Sequence, residues 1–270
     1  MPTSASESRA SYDQLLALAQ YRRSIRRFKP DPLPPGTAEK ILEVARLSMS
    51  GANSQSWEFI VVQDKEQRRK IAEAYTRHMI LTAAMESTRD PRYRHPAYTW
   101  PADMPFEEYV KSLQSTAPAW KDAPLLIVPL YDPRKQWGTV LLGHGEISWT
   151  EPQGSVGACT HGHMNMLIHL AAASLGLGSA RIDLGGEEGP FREVLGYPEP
   201  LHAGPIIPIG YRAYEPGPCG PNRWPLEKLV HYDRYNMSLY LKNEDFPKYI
   251  LDIRELSRMG YGVGQARRDS

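Results

Sequence analysis

The chain has 270 residues, 41% of them hydrophobic, which suffices for one large domain or two small ones with a substantial core and excludes a disordered chain. Its 32 basic and 31 acidic residues leave a formal charge of +1, so there is no global field to draw nucleic acid or an anionic membrane. The two cysteines, Cys159 and Cys219, stand far apart in neither a metal nor a redox spacing, which argues against a disulfide scaffold or a zinc site and fits a reducing cytoplasm.

Residues 1–8 are polar and lack the apolar stretch of a signal peptide. Residues 11–21 read as a helix with Leu15, Leu16, Leu18 and Ala19 on one side and Ser11 or Asp13 placed to cap it. A cluster of arginines follows, then a rigid loop with Pro30, Pro32, Pro34 and Pro35, after which Thr37 can cap a helix carrying Ile41, Leu42, Val44, Ala45 and Leu47. Residues 48–56 are a turn-rich break leading to a short strand over 57–62 and a charged helix from Asp64 to about Tyr75. The stretch 78–122, rich in prolines, charges and aromatics with weak periodicity, reads as an insertion over a site.

The longest apolar run, residues 124–131, is too short to cross a bilayer and reads as a buried strand. A long apolar helix over 157–177 follows, ending where a glycine of Gly176-Leu177-Gly178 can take the left-handed cap conformation. Strands are expected at 179–183 and 203–210, with a short helix at 191–196 between them and a C-terminal arm from Leu226. There is no internal repeat, no regular βαβ rhythm and no glycine fingerprint after the first strand, so the expectation is a mixed α+β domain rather than a dinucleotide-binding fold.

Two constellations carry chemistry. Arg22, Arg23, Arg26 and Arg27 fall within six residues, and their mutual repulsion is relieved by an anion. Guanidinium forks match phosphate oxygens, and the Ser24 hydroxyl adds a donor. The alternative is a solvated basic turn at a helix C-terminus, where cations suit the macrodipole. The second constellation, residues 48–57, gathers hydroxyls with Asn53 and Gln55 just before a buried strand. Each amide offers a donor and an acceptor, as the alternating carbonyls and N–H of a flavin pyrimidine edge require, although an ordinary polar loop has the same composition.

Arg22-Arg23-Ser24-Ile25-Arg26-Arg27-Phe28-Lys29-Pro30-Asp31, followed by Ser50-Gly51-Ala52-Asn53-Ser54-Gln55-Ser56-Trp57-Glu58-Phe59, resembles the two N-terminal motifs of the nitroreductase superfamily. The run from Met164-Asn165-Met166-Leu167 to Ala171-Ala172-Ala173-Ser174-Leu175-Gly176-Leu177-Gly178-Ser179 is similar to its central helix and glycine end. Tyr211, Arg212 and then Asn222-Arg223-Trp224-Pro225-Leu226-Glu227-Lys228-Leu229-Val230 resemble its closing strand and the arginine segment that returns to the phosphate. The resemblance covers roughly residues 12–236.

It implies an α+β fold with a mixed sheet flanked by helices, and an obligate homodimer binding FMN at the subunit interface. A domain over 1–236 would carry the 78–122 insertion, and an arm over 237–270 would wrap the partner subunit. Arg22, Arg23 and Ser24 would hold the FMN phosphate with Arg223, and Arg26 would face the N1/C2 edge of the ring, where a fixed guanidinium stabilises the charge of the reduced flavin. Ser50, Asn53 and Gln55 would meet the pyrimidine edge or ribityl hydroxyls, and Ser179 would pass the N5 side. Ser56 stands where the family usually has proline, and Arg181 where a small or hydroxyl residue is expected, so Arg181 could meet an acidic substrate. His161 and His163, two residues apart, fall on different faces of a helix, which disfavours a shared metal.

The implied activity is reduction of a nitroaromatic, quinone or activated alkene by ping-pong hydride transfer from NADH or NADPH through FMN, with no protein nucleophile. Reductive dehalogenation or oxygen-dependent flavin cleavage on the same fold, and non-enzymatic flavin binding, are the alternatives. Tyr93, Tyr98, Trp100 and Tyr109 of the insertion could close over a small aromatic or conjugated substrate, or pack on one another.

Overall fold

The computed structural model describes residues 11–90, 104–135, 156–184, 188–217 and 223–261. They divide into two compact units, one of residues 24–214 and one formed by the two ends of the chain, up to residue 23 and from residue 215.

The larger unit is built around strand β2 (Leu125–Tyr131), preceded in sequence by strand β1 (Trp57–Val62). The apolar run of β2 is buried from Leu125 through Leu130, as a strand covered on both faces must be. β1 pairs antiparallel along one edge of β2, from Trp57 opposite Tyr131 to Val62 opposite Leu126. The next strand, β3 (Gly178–Ser179), is only two residues long, and two further strands, β4 (His202–Ala203) and β5 (Ile207–Gly210), share the other edge of β2. β3 closes the order β1-β2-β5-β3 by pairing with β5.

Two expectations are corrected here. The strand expected over 203–210 is broken because Pro205 cannot donate to the ladder, so Gly204 N–H alone reaches across to the Pro129 carbonyl, at 2.7 Å, before Ile206 turns to bridge Ile182. The sheet expected to be mixed has antiparallel ladders between all its named strands, and the described parallel contact is an isolated bridge from Ser24 to Ser179.

Alternation along β2 sends its side chains into two cores. Leu125 and Ile127 pack with Ile41 and Ala45 of helix α2 (Thr37–Ala45), and with Met164 and Ile168 of the long central helix (Val156–Ser174). Leu126 and Val128 pack on the opposite face with Ile71 of helix α3 (Lys65–Ser87) and with Phe191. The end signals of these helices are local. Asp64 caps α3 by accepting from Gln67 N at 2.8 Å. The central helix stops at Gly176, whose φ of 75° lets Leu177 N reach back to the Ala172 carbonyl at 2.9 Å. Gly36, in the left-handed region at φ 79°, takes the N-cap position expected of Thr37, whose hydroxyl instead donates to the Pro34 carbonyl.

α3 runs a further three turns past the expected end near Tyr75. Its later residues Met79, Ile80 and Ala83 change partners, packing on Tyr109 and Leu113 of helix α4 (Phe106–Thr116) in a small separate core. Much of the 78–122 stretch is therefore two packed helices, and the central helix, next in order, is α5. Helix α6 (Gly189–Leu195), expected at 191–196, ends at Gly196 in the left-handed conformation, φ 70°.

The smaller unit holds helix α1 (Tyr12–Tyr21) and helix α7 (Phe246–Tyr261). Ser11 and Gln14 close a reciprocal capping box, Gln14 N donating to Ser11 Oγ at 3.2 Å and Ser11 N to Gln14 Oε1 at 3.0 Å. Trp224, Tyr249 and Phe246 stack in series, with ring centroids 6.2 and 5.9 Å apart.

Candidate functional site

The segment after α1 alternates between core and surface. Ile25 and Phe28 are buried, Ser24 and Arg27 are exposed, and Arg26 is half-buried. The backbone is tied on both sides, Ile25 N donating to the Ser179 carbonyl at 2.9 Å, Lys29 N to the Tyr211 carbonyl at 3.0 Å and Ala213 N to the Arg27 carbonyl at 3.2 Å. Two glycines make the approach possible. A Cβ at Gly178 would stand 2.8 Å from the side chain of Ile25, and one at Gly210 would stand 2.6 Å from Pro124 and 3.2 Å from Phe28. The arginines thus leave a backbone fixed by core anchors and strand glycines, a basis for precise placement.

The four arginines are differently placed. Arg27 lies over the ring of Tyr214, 5.4 Å from its centroid. Arg22 ends α1 through its N–H to the Leu18 carbonyl at 2.9 Å, and Arg23 Nη1 donates to the Gly217 carbonyl at 2.5 Å. Arg22, Arg23 and the exposed Arg223 belong to the smaller unit, while Ser24 and Arg26 belong to the larger.

The second constellation is a strained turn. Ala52, Asn53 and Gln55 have φ of 51°, 51° and 45°, a region that L side chains rarely occupy and that clusters at functional sites. Ser50 holds the turn together, its Oγ accepting from Gln55 N at 3.1 Å, while Gln55 Nε2 donates to the Asn53 carbonyl at 3.3 Å. Asn53 and Gln55 are exposed. Ser56, the departure from the family's proline, is buried, and its carbonyl accepts from Asp132 N at 2.9 Å. The carboxylate of Asp132 receives two bonds from the Arg134 guanidinium, at 2.8 and 2.7 Å, which hold it below the usual carboxylate range.

His161 packs at the end of β2, edge-on to Tyr131 with centroids 5.0 Å apart. Burial pushes its pKa down to about 4, keeping the imidazole neutral. His163 is exposed, so the two histidines do fall on different faces of α5.

Sheet register sets the distance between the clusters. Ser179 lies opposite Ile209, which lies opposite Leu125 at the start of β2, whereas the 50–56 turn feeds Trp57, opposite Tyr131 at its end. Six residues along β2 amount to roughly 20 Å, and three strand spacings to roughly 14 Å. Ser24 and Ser179 are brought together; Ser50, Asn53 and Gln55 occupy the diagonally opposite corner.

Ser179 is tied to the central helix. Its hydroxyl points toward α5 and is shut from solvent, 2.8 Å from Nδ1 of the buried His169. His169 was not among the residues singled out from the sequence, because a histidine ten residues away on an apolar helix gives no local signal. Arg181 pairs with Asp183 at 2.6 Å rather than standing alone. Tyr109 is buried against Ala83 and Leu113, so it packs within the insertion instead of presenting itself to a ligand; Tyr93, Tyr98 and Trp100 lie outside the described residues.

The profile of the nitroreductase family matches residues 19–211, which include both N-terminal motifs and the whole sheet. The chain belongs to the nitroreductase family. A protein of Archaeoglobus fulgidus named putative NADH dehydrogenase/NAD(P)H nitroreductase is 36% identical over 95 residues, 34% of this chain and 55% of that one. The 5,6-dimethylbenzimidazole synthase of Rhodospirillum rubrum is 37% identical over 32% of this chain and 39% of its own, so these matches span about half of such relatives or less. Among solved structures, an FMN-dependent nitroreductase from Clostridium difficile superimposes with a TM-score of 0.54 at 24% identity, over 82% of this chain and 99% of that one. An iodotyrosine deiodinase bound to FMN and 3-iodo-L-tyrosine gives 0.54 at 21% identity, over 82% and 100%. These likenesses establish the α+β fold. Among the described residues no helix is long and apolar enough to cross a membrane.

Proposed function

We propose that this chain is an FMN-dependent oxidoreductase that takes hydride from NADH or NADPH and passes it to a nitroaromatic, quinone or activated alkene. The observation that carries the reading is the anchored 24–29 segment, which holds Ser24 and Arg26 at the surface immediately after the Arg22-Arg23 pair. The residues fit the cofactor chemically: Arg22, Arg23, Ser24 and Arg223 are phosphate donors, and Ser50, Asn53 and Gln55 offer hydroxyl and amide groups on a strained, exposed turn. When bound, FMN supplies the hydride-accepting and hydride-donating centre. Arg26 places a permanent positive charge at the N1/C2 edge, and the fixed backbone on either side lets it do so without reorganising.

In this reading the protein works as a homodimer. Ser24 and the 50–55 turn, at opposite corners of one sheet, are too far apart to grip one flavin within a single subunit, so each complete site combines Ser24 and Arg26 of one copy with the 50–55 turn of another. The arm over 237–270, with Tyr240 51% and Phe246 50% exposed, wraps the partner in the same assembly. A reducing cytoplasm is its setting.

The test is the absorption spectrum of the purified protein, then anaerobic titration with each nicotinamide. A yellow protein bleached rapidly by NADH or NADPH is expected, and Arg26→Ala should lose flavin or slow its reduction by about a hundredfold. A protein that takes up no FMN overturns the reading. Bound flavin that the nicotinamides reduce only sluggishly would favour dehalogenation, as the name of the iodotyrosine deiodinase relative suggests, or flavin cleavage.

A further inference from the structure

His169 lies on α5 and is buried, with Ile168 and Ala172 buried beside it. Burying an imidazole there is unfavourable unless its nitrogens are bonded. The bond at Nδ1 goes to Ser179 Oγ, 2.8 Å away, with the tautomer deciding which of the two donates. Ser179 is half of a two-residue strand, a length at which ladder bonds alone fix position weakly. The same residue accepts Ile25 N on its carbonyl at 2.9 Å and forms the bridge to Ser24. A continuous path of hydrogen bonds therefore runs from a long core helix, through one serine, to the backbone between Ser24 and Arg26.

We propose that His169 is a positioning residue for the cofactor-binding segment: by bonding the Ser179 side chain it locks the short β3 strand, and through the Ser179 carbonyl it sets where Ser24 and Arg26 meet the flavin. The proposal rests on the FMN reading for its ligand but not for its mechanics. It assigns Ser179 a new place as well, since the hydroxyl serves the helix while the carbonyl serves the Ile25 amide. A displacement of about 1 Å at Ile25 moves a phosphate donor and a ring-edge cation together, and misplacement on that scale costs an order of magnitude or more.

Two readouts test this. In the flavin-free protein, His169→Leu should raise hydrogen exchange at the Ile25 amide at least about tenfold relative to the Ile182 amide, which bonds the Ile206 carbonyl and reports general loosening. In the same variant FMN affinity, followed by quenching of flavin fluorescence, should fall about tenfold. Ser179→Ala, which leaves the helix intact, should reproduce both losses. The double variant should be no worse than the weaker single one, because both remove one bond. His169→Asn, whose amide stands near the place of Nδ1, should recover most of the affinity. Unchanged Ile25 protection, FMN affinity within twofold of wild type in both single variants, or losses that multiply in the double variant would overturn the proposal. Wild-type protein without affinity for FMN would instead overturn the cofactor reading, with Ile25 exchange still reporting on the lock.

Discussion

In the larger unit every side chain of β2 from Leu125 to Leu130 is shut from solvent, strand alternation assigning Leu125 and Ile127 to one core and Leu126 and Val128 to another, while Leu130 packs with Tyr197 and Leu201. In the smaller unit α1 buries nothing: Leu15 is 56% exposed, and farther along the chain Tyr232 is 84% and Met237 70% exposed. Both regions carry apolar residues in regular patterns, but the central strand of the larger unit buries its own, although Leu47, Met49 and Met85 elsewhere in that unit are exposed. Apolar side chains exposed in such number are what the proposed second copy would cover. The difference teaches that the larger unit has a core that its own strands and helices complete, whereas helix α1 of the smaller one has no buried residue.

The comparison can be broken most severely at a glycine. Gly178→Val places a branched side chain where even a Cβ would stand 2.8 to 2.9 Å from three atoms of Ile25, and Ile25 has no room to move in a fully buried site. A loss of about 3 kcal/mol or more is expected, read as a fall in the urea midpoint. Gly217, in the smaller unit, has nothing within 4 Å of its Cβ position, so Gly217→Ala should leave the midpoint unchanged. Equal effects at the two glycines would erase the distinction between packed scaffold and open surface.

A gentler break comes at the arm. Truncation after Asn236 removes Tyr240, Phe246, Tyr249 and Ile250, and in the dimer reading it removes contacts with the second copy rather than core. Sedimentation should shift toward monomer while the far-ultraviolet signal of the larger unit persists. An unchanged sedimentation profile would show that the arm covers something else.

How much of this was legible follows the range of the forces involved. Helix ends were readable where one residue decides them, as at Asp64, Gly176 and Gly196, because caps are local. The functional groups of the arginine cluster and the Ser50–Gln55 turn could be read from the sequence, but not the distance between Ser24 and that turn, which the sheet register sets. The length of α3 was not, since its apolar residues face one core up to Tyr75 and another from Met79, and a single periodicity cannot describe both. The shortness of β3 and the His169–Ser179 bond were hidden for the same reason: Ile25 and Pro208, distant in sequence, decide them. The positive φ at Ala52 contradicts alanine's own preference, so only the surrounding fold imposes it.

The smallest expected effect sharpens the comparison on the scaffold's side. His161 is neutral in the fold with a pKa near 4, against 6.5 as an ordinary histidine. Between these values the unfolded chain binds a proton that the native one refuses, so stability is complete above about pH 6.5 and is lost as pH falls toward 4. The loss can reach about 3 kcal/mol, less where the unfolded chain or bound water softens the contrast. Asp132, held low by Arg134, adds its own loss only at still lower pH, below the ordinary carboxylate value, so the two windows separate. His161→Phe keeps an aromatic edge against Tyr131 and removes the titration. Urea midpoints measured from pH 7 to 4.5 should fall steadily in the wild type and stay flat in the variant. Parallel slopes would place the pH sensitivity elsewhere.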